Sequence, residues 1–287
     1  MRIAHIIIAH KNPDQLIRLI RRLHHPQFDI YVHIDNKMPI DDFKSVLNVD
    51  QVAFIKNRIT CNWGGNSFLQ AIISSVKEVL SLKKDYDFIN LLSAQDYPLT
   101  SAENIYQYFK DKTGMNFISY EDAQDSIWQA QAALRYEKYH FTDFNFKYKY
   151  FIQKTLNKIA PARKFPLRMK LYGGNKSSWW IISNETAIYL TESLTNNLKL
   201  NRFLKYSWGT DEFVLTTLIM NSPLKNKTIN NNLRYIDWSE GNAHPKLLGT
   251  SDFDSIKNSK MLFARKFDID SDSNVLDRID RELLGLK

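Results

Sequence analysis

Ile3-Ala-His-Ile-Ile-Ile-Ala9, Pro13-Asp-Gln-Leu-Ile-Arg-Leu-Ile-Arg-Arg-Leu23 and Ile30-Tyr-Val-His-Ile34 are the stretches that decide the fold class. The first, apolar apart from His5, has strand length and reads as a buried strand. The second repeats apolar residues at helical spacing, with Asn12 as its cap and Pro13 at its first position, and the third is again a short strand. Together they read as a β-α-β unit. The alternation continues with a helix near Ile40 to Leu47, a strand at Val52 to Ile55, a long helix from Ser67 to Leu82 and a strand at Phe88 to Leu92. Strands alternating with helices predict an α/β fold with a mostly parallel central sheet flanked by helices on both faces. Such sheets receive ligands outside the carboxyl ends of their strands. A site is therefore expected at Ala9-His10-Lys11, His33-Ile34-Asp35 and Ser93-Ala94-Gln95-Asp96.

Further along, the pattern predicts a capped helix over Ser101 to Lys110, a strand over residues 115–120, a strand over Ser177 to Ser183 and a helix over Asn184 to Leu194. A helix over Asp211 to Met220, a strand over Leu233 to Trp238 and a terminal helix over Ser271 to Leu284 follow. Residues 121–170 are aromatic and basic and show no clear period. No internal repeat or flexible linker is visible, and with 287 residues and 44% hydrophobic content the chain reads as a single domain with a large core.

No apolar run approaches the roughly 18 residues that cross a bilayer, and Ile3 to Ala9 is too brief and wrongly flanked for a signal peptide. A protein soluble in the cytoplasm, or resting on a membrane surface, is expected. The single cysteine, Cys61, excludes an internal disulfide framework and reads as a small buried hydrophobe. The net charge of +8 is unevenly spread. Between Asp143 and Glu185 there is no acidic residue but nine Lys and Arg, more than the whole excess. That stretch, centred on 144–176, reads either as a solvated face or as a surface for anionic lipid or a lipid-diphosphate-linked acceptor. No nucleic-acid module is visible.

Trp208-Gly-Thr-Asp-Glu-Phe213 places an isolated acid pair at the start of a helix, where a carboxylate can act as a general base. Asp35 ends a strand, where it either meets ribose hydroxyls or caps a turn. Asn62-Trp63-Gly64-Gly65-Asn66-Ser67 offers close backbone approach, a helix start and a stacking ring, or else an ordinary anchored turn. The first βα turn lacks Gly-x-Gly-x-x-Gly and no Walker-type loop occurs. Of the Asp-x-Asp triplets, Asp85-Tyr-Asp87 precedes its strand and the others lie late in the chain, so none stands where a diphosphate-bound metal is held. Fixed cations would have to replace such a metal, with Arg234 and Lys266 as candidates that by themselves read equally as surface charges.

AHIIIAHKNP from Ala4, YVHIDNK from Tyr31, NWGGNSFLQA from Asn62, FINLLSAQDYPL from Phe88, SSWWIIS from Ser177, TDEFVLTTL from Thr210 and LFARKFD from Leu262 resemble, in order and spacing, the core-2/I-branching glycosyltransferases. The resemblance, shared with peptide O-xylosyltransferases, runs from Ile3 to about Asp280. It implies a GT-A type, Rossmann-like domain and an inverting, metal-independent reaction using a UDP-sugar. Motif by motif it implies Glu212 as catalytic base with Asp211 in support, Arg234 and Lys266 on the diphosphate, His10, Asp35 and Trp63 around the uridine, and Asp96 near the donor sugar. Residues 1–120 would then form the nucleotide-binding half and 121–287 the acceptor and diphosphate half.

The many cysteines of mammalian members are absent, and the family's acceptor-recognising stretch finds no match in Tyr120 to Tyr139. The expected reaction is transfer of a sugar, with N-acetylglucosamine first and xylose second, to a hydroxyl of a glycan or lipid-linked glycan in surface polysaccharide synthesis. No metal or other cofactor is expected. A non-catalytic UDP-sugar or polyanion binder is the alternative, and the 144–176 stretch would touch the inner face of an anionic membrane.

Overall fold

The computed structural model describes residues 1–122 and 124–286. Among these residues a seven-stranded sheet is built from β1 (Ile3–Ala9), β2 (Phe28–Ile34), β3 (Val52–Phe54), β4 (Phe88–Ser93), β6 (Asn116–Ile118), β7 (Trp180–Ser183) and β8 (Thr228–Ile229). Its order is β3-β2-β1-β4-β7-β6-β8, and only β7 runs against its neighbours. The mostly parallel α/β sheet expected from the alternation is what forms. A smaller sheet, not foreseen, joins β5 (Asp96–Pro98), β10 (Phe263–Arg265) and β9 (Arg234–Ile236) in the order β5-β10-β9.

The helices are α1 (Pro13–Arg22), α2 (Asn66–Ser81), α3 (Ala102–Phe109), α4 (Ser126–Tyr136), α5 (Lys149–Ile159), α6 (Asn184–Asn196), α7 (Leu198–Leu204), α8 (Val214–Met220), α9 (Phe253–Asn258) and α10 (Asn274–Glu282). Side-chain parity along β1 explains how they cover both faces. Ile3, Ile7 and Ala9 pack with Leu16, Leu19 and Ile20 of α1, and with α9 and α10. Ala4, Ile6 and Ile8 point the other way, onto Leu69, Ile72, Val76 and Val79 of α2 and onto α6 and α8. A fully buried Leu or Ile contributes about 1.5–3 kcal/mol, so the three α1 residues alone fix that helix on the sheet. Arg18 and Arg22 clasp the Asp280 carboxylate, which also accepts from the Tyr97 hydroxyl at 2.8 Å, and this ties α1 to α10.

Several expectations are corrected. Asn12 does not cap α1: its backbone is left-handed and its side-chain amide donates instead to Asp268 at 2.9 Å. The segment from Ile40 is a 3-10 helix, Ile40–Asn48. The run from Asp211 is broken, with a 3-10 turn over Thr210–Glu212 separated from α8 by the non-helical Phe213. Regular structure in 121–170 consists of α4 and α5.

The carboxyl ends of β1, β2 and β4 lie side by side, since the Asp35 amide donates to Ala9 O at 2.8 Å and the Ala94 amide to Ile8 O at 3.0 Å. Because β7 is antiparallel, its start brings Ser178 and Trp179 to the same edge. The small sheet closes over that edge, with Arg265 opposite Asp96. Its tail is tied down by Gln15, whose side chain donates to Ala94 O at 3.0 Å and Phe267 O at 3.2 Å and accepts from the Ile269 amide at 2.8 Å.

Candidate active site

Glu212 sits in the 3-10 turn, held from behind by its own carbonyl, which accepts from the Gly174 amide at 3.0 Å. Gly173 is required at this approach, because a Cβ there would lie 2.3 Å from the Glu212 carbonyl oxygen. The carboxylate faces Arg135 of α4, and the Arg135 Nε and Nη2 both donate to Glu212 Oε2, the first at 3.1 Å. Burial pushes the Glu212 pKa up from 4.5 to about 7, the Arg135 charge opposes that rise, and the Asp211 charge adds to it. Asp211 points inward, where it accepts from the Ser178 hydroxyl at 2.5 Å. Burial raises its pKa against that hydrogen bond and the charges of Arg135 and Arg265.

An aromatic wall stands beside this carboxylate. The Arg135 guanidinium lies 5.2 Å from the Trp208 ring and 5.7 Å from Trp128. Trp63, 66% exposed, meets Trp208 edge-on at 5.4 Å. The turn before α2 fits under Trp208 because Gly64 has a left-handed φ of 68° and no side chain; a Cβ there would fall 2.1 Å from the indole nitrogen. The start of α2 is capped by the distant Asp143, which accepts from the Ser67 amide at 2.8 Å and the Asn62 side chain at 3.0 Å.

At the strand ends, Asp35 is buried and accepts from the Lys37 amide at 3.0 Å and the Cys61 amide at 3.3 Å. Its carboxylate thus shapes the turn that carries the chain toward Trp63. His10 stands on the same edge, and its pKa is lowered by partial desolvation of the ring and by Lys11, against the pull of Asp35, with Lys37 and Lys266 lowering it further. Lys11 is paired with Asp268. Lys266 is half-buried, and among the described residues its ammonium group has no hydrogen bond or carboxylate partner within ion-pair distance. Burial lowers its pKa, as do the neighbouring charges of Arg265 and Lys11. A cation so crowded gains most from an incoming anion.

Asp96 and Arg234, expected at the donor sugar and the diphosphate, occupy a different place. Both side chains are fully buried, with Arg234 Nε 3.9 Å from Asp96 Oδ2. The Arg234 Nη2 donates to Asn90 Oδ1 at 2.6 Å and Leu91 O at 2.8 Å, so the guanidinium braces β4 from within and offers no surface to a ligand. Arg265, not singled out in the sequence, shares Asp96 at 3.6 Å and lies 3.9 Å over Trp179. Its Nε and Nη1 lack hydrogen-bond partners. Its signal was its place beside Lys266 in LFARKFD. Arg135 lay in the region without a period and had none.

The structure therefore gathers Glu212, Asp211, Arg135, Trp208 and Trp63 on one side, and His10, Asp35 and Lys266 at the strand ends. Cys61, expected as a buried hydrophobe, is only half-buried beside Asp35, with its thiol pushed up to about 12, first by burial. Among the described residues no three His, Cys, Asp or Glu side chains are grouped so as to hold a metal ion. The Asp-x-Asp residues have structural partners: Asp87 accepts from the Arg2 amide at 2.7 Å, Asp252 from Lys246 at 2.6 Å and Asp272 from the Thr250 amide at 2.6 Å. No helix among the described residues is long and apolar enough to cross a membrane.

The profile of the core-2/I-branching enzymes matches residues 3–261. The chain is 24% identical over 309 aligned residues to a xylosyltransferase of Ciona intestinalis and 25% identical to xylosyltransferase 2 of Rattus norvegicus, in each case over 99% of this chain and 34% of the relative. It thus spans about a third of the length of these curated relatives. Mouse xyloside xylosyltransferase 1 in its apo form aligns with a TM-score of 0.40 at 10% identity, covering 91% of this chain and 97% of that one, a likeness too distant to bear on the site. The profile match, spanning the β-α-β unit, the strand ends at His10 and Asp35 and the Glu212 turn, places the chain in the core-2/I-branching enzyme family of glycosyltransferases.

Proposed function

We propose that this protein transfers a sugar from a UDP-sugar to a hydroxyl of a glycan acceptor with inversion at the anomeric carbon, and that Glu212 is the general base. The observation that carries the reading is a partly exposed carboxylate with a pKa raised to about 7, set against an aromatic wall. A base is most effective when its pKa lies near the working pH. The acceptor oxygen attacks the anomeric carbon as its proton passes to Glu212. On the opposite face the bond from that carbon to the diphosphate oxygen breaks, and its electron pair leaves with UDP.

Lys266, with Arg265 behind it, balances the charge that develops on the diphosphate, in the role a metal plays elsewhere. Arg234 and Asp96 act from beneath by holding Arg265 and β4 in place. Uridine lies over Asp35 and His10, with Trp63 as the exposed ring at the rim. Asp211, bonded to Ser178, keeps the turn in register. The donor is UDP-N-acetylglucosamine, and the acceptor belongs to surface polysaccharide synthesis. UDP-xylose is the second reading, favoured by the names of the relatives.

A panel of UDP-sugars, scored by thermal shift and by release of UDP with and without acceptor glycans, tests the reading. Turnover of one donor that persists in EDTA supports it. Manganese-dependent turnover overturns the role given to Lys266, and binding of a UDP-sugar with no turnover of any donor overturns the catalytic reading.

A further inference from the structure

Helix α5 is attached to the rest of the protein by its polar side. Gln153 Oε1 accepts from the Phe141 amide at 2.7 Å, Asn157 both accepts from and donates to the Tyr139 backbone at 2.8 Å, and Lys149 Nζ donates to Phe144 O at 3.0 Å. A surface helix normally turns its apolar stripe toward the core. Here no residue of α5 is buried. Tyr148 is 68% exposed, Phe151 71% and Ile159 78%, with Ile152 also exposed. Within the helix Phe151, Ile152 and Ile159 are i, i+1 and i+8, which at 100° per residue form one outward stripe facing away from the amide clamps, and Tyr148 is exposed at the left-handed N-cap before them. Lys154 and Lys158, both exposed, fall along one edge of it, and Lys147, also exposed, lies in the segment leading into the helix.

The surroundings select the occupant. No carboxylate occurs between Asp143 and Glu185, and Asp143 itself is consumed by Ser67 and Asn62. A protruding apolar stripe edged by lysines, on a helix fixed to its body by hydrogen bonds, has the chemistry of a surface that settles into the headgroup layer of an anionic bilayer. The clamped loop also connects this surface to the site. His140 donates its amide to Tyr206 O at 3.0 Å, and Asp143 caps the helix that starts behind Trp63.

We infer that α5 docks this protein onto anionic membranes, with Tyr148, Phe151, Ile152 and Ile159 in the interface and Lys147, Lys154 and Lys158 against lipid phosphates, so that a lipid-linked acceptor meets the site from the same surface. The docking itself does not rest on the catalytic reading. Only the lipid-linked acceptor does.

Sedimentation with vesicles of phosphatidylcholine alone, and of equimolar phosphatidylcholine and phosphatidylglycerol, tests it. Wild-type protein should sediment with the anionic vesicles and be released by salt. The Lys147→Gln/Lys154→Gln/Lys158→Gln variant should bind those vesicles about fivefold more weakly per lysine removed and lose most of the salt dependence. Phe151→Ser/Ile159→Ser should weaken binding while leaving the salt dependence in place. Every altered side chain is solvent-facing, so melting temperature and UDP-sugar turnover on a soluble acceptor should match wild type, which separates this test from that of the reaction. Equal binding to neutral vesicles, or anionic binding unchanged in both variants, would overturn the inference. So would a concentration-dependent dimer that Phe151→Ser/Ile159→Ser abolishes, in the absence of vesicle binding, because the stripe would then be a protein interface.

Discussion

Arg135 donates to Glu212 from two nitrogens, and both bonds fall on the same oxygen, Oε2; Oε1 accepts from neither. The pair is thus one-sided, and half of the carboxylate stays open to an acceptor hydroxyl. Glu212→Gln keeps the shape and removes the basicity, so turnover should fall about 10²- to 10⁴-fold while UDP binding stays near wild type. In the wild type the rate should rise with pH along a limb centred at about 7, where Glu212 ionises.

Stability should move the other way. Glu212 ionises at about 4.5 in the unfolded chain and about 7 in the folded one, so the unfolded state loses its proton first and stability falls as pH rises between those values. Glu212→Gln should therefore melt higher than wild type above pH 7 and no higher below pH 4.5. Near-normal turnover of this variant, measured by UDP release, would remove Glu212 from the base role.

Arg135 holds the Glu212 pKa down, against burial and the Asp211 charge. With Arg135→Gln those two influences act with less opposition, and the limb should move about one to three pH units higher. Turnover should then recover at alkaline pH. Arg135→Lys should return part of the shift, since it restores the charge without the two-nitrogen grip. A uniform loss of rate at every pH would mean that Arg135 acts on structure or on substrate instead of through its partner's ionisation.

Lys266 and Arg234 share a charge and an expected ligand but differ in their surroundings, and their variants should separate. Lys266→Met removes a cation with no carboxylate within ion-pair distance among the described residues, so the fold should hold while UDP affinity drops roughly 10- to 100-fold, as for one charge-assisted hydrogen bond. Arg234→Met strips Asp96 of one of its two cations and leaves Asn90 and Leu91 short of a donor, which should cost about 3–5 kcal/mol of stability. Calorimetric unfolding beside UDP titration reads both quantities. An Arg234→Met protein that melts normally but no longer binds UDP would place that guanidinium on the ligand after all.

The division between what the sequence revealed and what it hid follows the range of the interactions. β1, α1 and β2 were legible because each buries its own apolar pattern, and the side-chain periods of 2 and 3.6 survive any tertiary context. Of the small sheet only β9 was legible, within the strand expected over Leu233 to Trp238; β5 and β10 are three residues long and pair with each other across a long separation in sequence. Asn12 carried every local mark of a cap, yet a carboxylate 256 positions away took its amide. Motif order singled out Glu212 and Lys266 as candidates. It could not tell that Arg234 faces inward, because an Arg reads the same in sequence whether it touches a ligand or braces a strand. Arg135 was hidden because α4 mixes buried Trp128 and Ala132 with exposed Ile127 and Leu134 and shows no clean stripe.

Gly64 tests whether the aromatic wall and the base act as one unit. Its φ of 68° is left-handed, and the ring of Trp208 occupies the space where a Cβ would go. The same turn is bonded to the Glu212 segment, because the Gly209 amide donates to Gly64 O at 2.8 Å, and the Trp208 amide is held in turn by Arg135 O at 2.9 Å. Gly64→Ala therefore has to displace Trp208, and with it Arg135 from the oxygen it grips. The backbone strain alone should cost about 1–3 kcal/mol. Turnover should fall more steeply than that loss of stability accounts for, and the rising limb of the pH profile should shift upward as it does for Arg135→Gln. Fluorescence of the exposed Trp63 and half-buried Trp208 reports the displacement directly. An alanine variant with an unmoved limb would show that the wall can yield without disturbing the ionisation of Glu212.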